Sequence, residues 1–239
     1  MWNTDSAMEL FFKYFLLAYY LVFFVFAMVL PTYQVWKNTG VNPYKLGKSD
    51  SAHDYIGRLF RITLIACAVV VVTFVFFPAV YGQLLPVPFL SNSVIVGFGS
   101  IFLLCALIWV LIAQSHMQKS WRIGIDEDVK TELVQRGLFK VSRNPIFLGM
   151  RIMLMGLFLI LPNAVMLTIW MAGEIVIQIQ VRLEEEYLTH IHGDSYRAYQ
   201  NQVRRWIEES KCILVPHTLI LTCATLHGKR HPVCRFRSS

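Results

Sequence analysis

Residues 142–150 read SRNPIFLGM, an apolar hairpin follows, and residues 181–207 read VRLEEEYLTHIHGDSYRAYQNQVRRWI. The hairpin turns at Pro162-Asn163, so the chain rises from about residue 145 to 161 and returns from about 164 to 182. At about 1.5 Å per residue the legs are ~25 and ~28 Å long, close to a bilayer core of about 30 Å. Antiparallel legs of matched length bring their open ends together. Arg143 and Asn144 are therefore expected to meet Arg182, Glu184 and Glu185 at one membrane face. A mixed-charge pocket where helices leave the lipid is more than a membrane anchor needs.

Composition agrees with a membrane setting. Of the 239 residues 56% are apolar and 15% charged, and the mean hydropathy is +0.51, too apolar for an ordinary soluble domain. Leu10–Leu30, Ile62–Val80 and Val94–Ala113 are each long enough to span. With the two hairpin legs this predicts an all-α polytopic membrane protein of about five transmembrane helices and no separate soluble domain. The first run is too long and aromatic for a signal peptide and reads as retained. The expected divisions are an N-terminal set of helices over 1–113, a core over 114–207 carrying the hairpin and a C-terminal helix, and a tail over 208–239.

Charge placement predicts orientation. The loop from Pro31 to Arg58 carries Lys37, Lys45, Lys48 and Arg58, and the loop from Gln114 to Arg143 carries Lys119, Arg122, Lys130, Arg136, Lys140 and Arg143. Tyr81–Ser93 and Pro162-Asn163 carry neither Lys nor Arg. The positive-inside rule then puts the basic loops and the C-terminus in the cytoplasm and the N-terminus outside, with a bacterial inner membrane as the expected location. The net charge of +7 suits anionic lipid head groups. Nucleic-acid binding is not expected, because the aromatic residues lie within the spans.

The five cysteines form no disulfide framework. Cys67 and Cys105 read as packing residues within spans. In the tail Cys212, Cys223 and Cys234 alternate with His217, His227 and His231, but no CxxC or HxxxH pair organises them, so no metal site is expected. Gly40, Asn42-Pro43 and Gly47 punctuate the first loop, 126–136 can form a short surface helix, and 82–90 form an irregular cap. The helix leaving the last span is expected to break near His192-Gly193 and restart with Asp194 or Ser195 as cap, with Tyr196, Tyr199 and Val203 on one stripe.

Arg151 and Glu174 lie 11 residues before and after the turn, hence at nearly equal depth. An isolated charge there costs at least ~2.5–3.5 kcal/mol, so the two are expected to pair. They read either as a lock on the hairpin or as the lining of a polar cavity for a reacting group. Gln178 and Gln180 are expected to extend that polar track toward Glu184.

The segment LVQRGLFKVSRNPIFLG followed by EEEYLTHIHGDSYRAYQNQVRRWI resembles the integral-membrane methyltransferases typified by isoprenylcysteine carboxyl methyltransferase and phospholipid N-methyltransferases. Their paired signature is R-[HN]-P-x-[YF]-x-G and, after a helical hairpin, E-E-x-x-L-x-x-x-[FH]-G-x-x-Y-x-x-Y. Arg143, Asn144, Pro145, Phe147 and Gly149 match the first half; Glu184, Glu185, Leu188, Gly193, Tyr196 and Tyr199 match the second. The upstream KSWRIGID is similar to bacterial members of the group. Asn144 stands where many members have His, His192 replaces the usual Phe, and Glu208 stands where Pro is common.

The resemblance implies an S-adenosyl-L-methionine site opening to the cytoplasm and a lipophilic or prenylated acceptor entering between helices. Arg143, or else Arg182, would fork the cofactor carboxylate. Glu184 and Glu185 would accept from the ribose hydroxyls or the ammonium. Asn144 would donate and accept, Phe147 and Gly149 would line the site, and Tyr196 and Tyr199 would close it. Arg151 and Glu174 are the catalytic candidates, Glu174 as a base only for an amine acceptor. Competing readings are an NADPH-dependent membrane reductase of the sterol type and a non-catalytic relative; a transporter is disfavoured because no paired half-repeats occur.

Overall fold

The computed structural model describes residues 6–40, 51–117 and 133–207. The readings placed on 41–50, on 118–132 and on the tail from 208 lie outside these. They include the turn at Asn42-Pro43, most of the 126–136 helix, KSWRIGID and the tail Cys/His set. The helices are α1 (Ser6–Phe23), α2 (Leu30–Thr39), α3 (Ala52–Phe76), α4 (Pro78–Tyr81), α5 (Ser93–Met117), α6 (Pro145–Ile160), α7 (Ala164–His192) and α8 (Asp194–Gln202). Among the described residues no strand occurs beyond one antiparallel bridge, Pro86 with Asn163.

The chain is an all-α, multi-pass membrane protein. Among the described residues four helical stretches are long and apolar enough to cross, Ala7–Asn38, Ala52–Phe76, Ser93–Met117 and Ala164–His192; α6 is apolar but shorter. The first span runs further than the sequence reading allowed. That reading ended it at Leu30 and began the loop at Pro31, yet α1 continues through a π-turn (Phe24–Val29) into α2 and stops at Gly40, φ 68°. Proline lacks the N–H that would bond the carbonyl four residues back. Gln114 Nε2 of α5 donates to that carbonyl, Ala27 O, at 2.7 Å. Similarly, α3 starts at the Ser51 cap, whose hydroxyl accepts from Asp54 N at 3.2 Å, so Arg58 lies in a helix and not in a loop.

Helix α6 packs most extensively on α5, and α7 on α3. Small residues permit the first contact. A β-carbon on Gly99 would stand 2.9 Å from Gly156 O, and one on Gly149 would stand 2.5 Å from Val110 Cγ2. Lipid offers no hydrophobic drive between helices, so close backbone approach carries such interfaces. Gly149, expected from the sequence to line the site, thus admits α5. At the turn Asn163, fully buried, accepts from Met166 N at 2.8 Å and caps α7. The cap segment closes over it, with Val87 N donating to Pro162 O at 2.8 Å and Ala164 N to Leu85 O at 3.1 Å.

Candidate functional site

The open end of the hairpin is closed by one carboxylate. Glu185, 4% exposed, accepts from Arg143 Nε at 3.1 Å and from Arg143 Nη2 at 3.2 Å. Asn144 Nδ2 donates to it at 2.9 Å, and Arg205 Nε and Nη2 donate at 3.2 and 2.8 Å. A carboxylate offers about four lone-pair sites, so Glu185 is saturated. Arg143 is similarly committed. Its Nη1 donates to Gln200 O and Val203 O, and its backbone N–H to Arg204 O. Ser142, fully buried, donates to Arg205 O at 2.8 Å and accepts from Asn144 N.

This junction exists because of Gly193. Its φ of 54° and ψ of −125° suit a residue without a β-carbon. The chain turns there and lays α8 back on the hairpin. The expected cap at Asp194 or Ser195 is not made: Gly193 occupies the cap position without a side-chain bond, and Asp194 pairs with Arg197 at 3.2 Å. Tyr196 and Tyr199 are buried, with ring centroids 5.9 Å apart. Tyr199 Oη donates to Phe139 O at 2.6 Å.

Burial raises the pKa of both phenols above the ordinary value of 10. A phenol that keeps its proton longer folded than unfolded stabilises fully below about pH 10 and loses that contribution as pH rises further. Tm is therefore expected to fall above about pH 10, and Tyr199→Phe is expected to flatten that fall, as thermal melts across the alkaline range would show.

A second cluster lies deeper. Arg151 Nε and Nη2 bind Glu174 Oε2 and Oε1, each at 2.8 Å, so the depth match read from the sequence is made as an ion pair. The Arg151 guanidinium also lies over the Trp206 ring, 4.5 Å from its centroid. Gln178 Nε2 donates to Glu174 Oε1 at 3.0 Å, and Arg182 Nη1 donates to Gln178 Oε1 at 3.0 Å. The expected track therefore runs through Gln178 to Arg182. Gln180 is not on it and bonds His53 of α3 instead. Arg151→Ala is expected to destabilise more than Glu174→Ala, because it also loses the Trp206 contact. A double-mutant cycle in denaturant should return a coupling of about 1–3 kcal/mol; strict additivity would remove the ion pair as a source of stability.

Of the expected residues, Arg143, Asn144, Glu185 and Tyr199 have their polar groups used inside the protein. Phe147 packs edge to face on Phe60 of α3, centroids 6.4 Å apart. Arg182 does not reach the two glutamates; Arg205 takes that place. Glu184 is half-buried, and neither it nor the Tyr196 hydroxyl has a hydrogen-bond partner among the described residues. Their charge and phenol interact through space. Sequence reasoning missed Arg205 and Trp206, which pin the junction and the ion pair respectively. The basic-aromatic run Arg204-Arg205-Trp206 directly after the tyrosine stripe was the available signal.

Residues 93–195 match the phospholipid methyltransferase family. Over this stretch the chain is similar to membrane methyltransferases of that family. The phospholipid methyltransferase match takes in α5, α6 and α7 and ends at Ser195, just before Tyr196, Tyr199 and Arg205. No curated protein matches the chain significantly.

Proposed function

We propose that the protein transfers a methyl group from S-adenosyl-L-methionine to a lipophilic acceptor at the membrane, as its family suggests. One observation carries this reading. The two halves of the paired motif meet at a buried junction, and beside it Glu184 and Tyr196 keep polar groups that nothing in the described residues uses.

The free groups fit the cofactor. Glu184 can accept from the ribose hydroxyls or the ammonium, and the Tyr196 hydroxyl can donate or accept. Arg182 keeps Nε and Nη2 for the α-carboxylate, a role that Arg143 can share only by leaving Glu185. The cofactor supplies an electrophilic methyl group on a sulfonium. Arg143, Asn144 and Glu185 act as the rigid floor that fixes Glu184 and Tyr196. Arg151 and Glu174 form the polar wall toward the acceptor, and Phe147 with Phe60 the apolar one. Aligned reactants in such a site are worth ~7–11 kcal/mol.

The site faces the cytoplasm in this proposal, with the N-terminus outside, in a bacterial inner membrane. The acceptor is a prenylated or other lipid-soluble molecule held between helices.

Titration calorimetry on the detergent-purified protein, with S-adenosylhomocysteine and NADPH as separate ligands, tests the reading. Micromolar binding of S-adenosylhomocysteine alone is expected. Binding of NADPH alone would move the protein to the reductases, and silence from both would mark a non-catalytic relative.

A further inference from the structure

Helices α3 and α7 run antiparallel, with Thr63 packed near Gly173 and His53 opposite Gln180. His53 is 9% and Gln180 7% exposed, and Gln180 Nε2 lies 2.9 Å from His53 Nε2. Each side chain has a second polar atom, His53 Nδ1 and Gln180 Oε1, that is buried with no hydrogen-bond partner among the described residues. Native interiors leave few such atoms unpaired, and each calls for an explanation. Here two occur on side chains bonded to each other.

Their chemistry defines what would satisfy them. With the Gln180 amide donating to Nε2, the imidazole proton sits on Nδ1 and is an unused donor, while Oε1 is an unused acceptor. Exchanging the amide oxygen and nitrogen swaps the roles and again leaves one donor and one acceptor. A carboxylate only accepts, so it could serve the donor but would leave the acceptor unpaired. An ammonium only donates, so it would leave the donor unpaired. A hydroxyl does both. Glu184, one turn beyond Gln180 on α7, and buried Asp54, next to His53, add to the rejection of an anion.

The setting connects this pair to the methyl-transfer site. Glu184 is within electrostatic reach of Tyr196, and α3 presents Phe60 to Phe147 two turns further along from His53. An apolar chain lying beside Phe60 and Phe147 would carry its polar end toward His53 and Gln180.

We propose that His53 and Gln180 form a head-group site for the hydroxyl, phenolic or alcoholic, of a lipophilic ligand. That this ligand is the methyl acceptor rests on the methyltransferase reading; the site itself does not. A pocket built to hydrogen-bond a hydroxyl discriminates steeply against analogues that leave its polar groups unpaired.

The test compares four probes of one chain length, para-dodecylphenol, para-dodecylbenzyl alcohol, para-dodecylbenzylamine and para-dodecylbenzoate, by tryptophan-fluorescence titration of the detergent-solubilised full chain. S-adenosylhomocysteine binding is measured on the same samples. One or both hydroxyl probes are expected to bind on the order of tenfold or more tighter than both charged ones, and the two hydroxyl arms tell phenol from alcohol. Gln180→Leu is expected to abolish the preference with S-adenosylhomocysteine affinity unchanged, and His53→Phe to do the same should the first variant fold poorly. Equal affinities for all probes, tighter binding of a charged one, or a preference that survives in both variants would overturn the proposal. A hydroxyl preference lost in the variants, in a wild-type protein that ignores S-adenosylhomocysteine, would keep the head-group site and remove the methyltransferase reading.

Discussion

Glu185→Ala is expected to loosen the whole junction at the open end of the hairpin rather than remove a ligand contact. The carboxylate receives Arg143, Asn144 and Arg205 at once, and Arg143 is 8% exposed at its side chain. Deleting one partner of a buried ion pair costs ~3–5 kcal/mol, because the remaining charge is left uncompensated. Among the described residues the Arg143 guanidinium would then keep only the carbonyls of Gln200 and Val203. Tm in detergent is expected to fall by several degrees, and S-adenosylhomocysteine binding to vanish with it. The diagnostic partner is Arg143→Met combined with Glu185→Leu. Removing both charges together is expected to restore part of the stability, since a buried pair gains little net energy over well-packed apolar residues, while Arg205 and Asn144 still lose the carboxylate. A wild-type Tm for Glu185→Ala would show that the junction does not hold the fold.

Glu184→Ala is expected to behave in the opposite way. This carboxylate is half-buried, has no hydrogen-bonding partner among the described residues and sits next to the like charge of Glu185. Removing it takes away no contact that the fold uses, so Tm is expected to stay level or rise. Hydrogen bonds to a charged group contribute about 1.5–3 kcal/mol, so S-adenosylhomocysteine affinity is expected to fall by roughly tenfold to a hundredfold. Calorimetry and thermal melts on one preparation separate the two neighbours: stability and affinity lost together at Glu185, affinity alone at Glu184. Undiminished binding by Glu184→Ala would take this residue out of the cofactor site.

The two neighbours also mark how far the sequence could be read. An adjacent pair of glutamates at the family's spacing suggests one shared task. Only the structure assigns Glu185 to the fold and leaves Glu184 without a hydrogen-bond partner among the described residues, because successive residues on a helix point about 100° apart and the partners come from other elements. Similarly, Gln178 and Gln180 looked like one track, yet Gln178 follows Glu174 by one turn while Gln180 turns to α3.

What the sequence determined by itself is a matter of length and depth. Apolar runs gave the spanning helices, and equal counts on either side of Pro162-Asn163 set Arg151 level with Glu174 and put Arg143 and Asn144 within about one turn of Glu185. Helical rise is constant and a turn fixes register, so such pairs follow from counting. What only the tertiary structure decided is which partner each group takes: Arg205 and Trp206 folded back past Gly193, α5 locked on Gly149, and His53 facing Gln180. Those choices depend on the rotation of each helix about its axis and on which neighbours approach it, and a single chain's spacing carries neither.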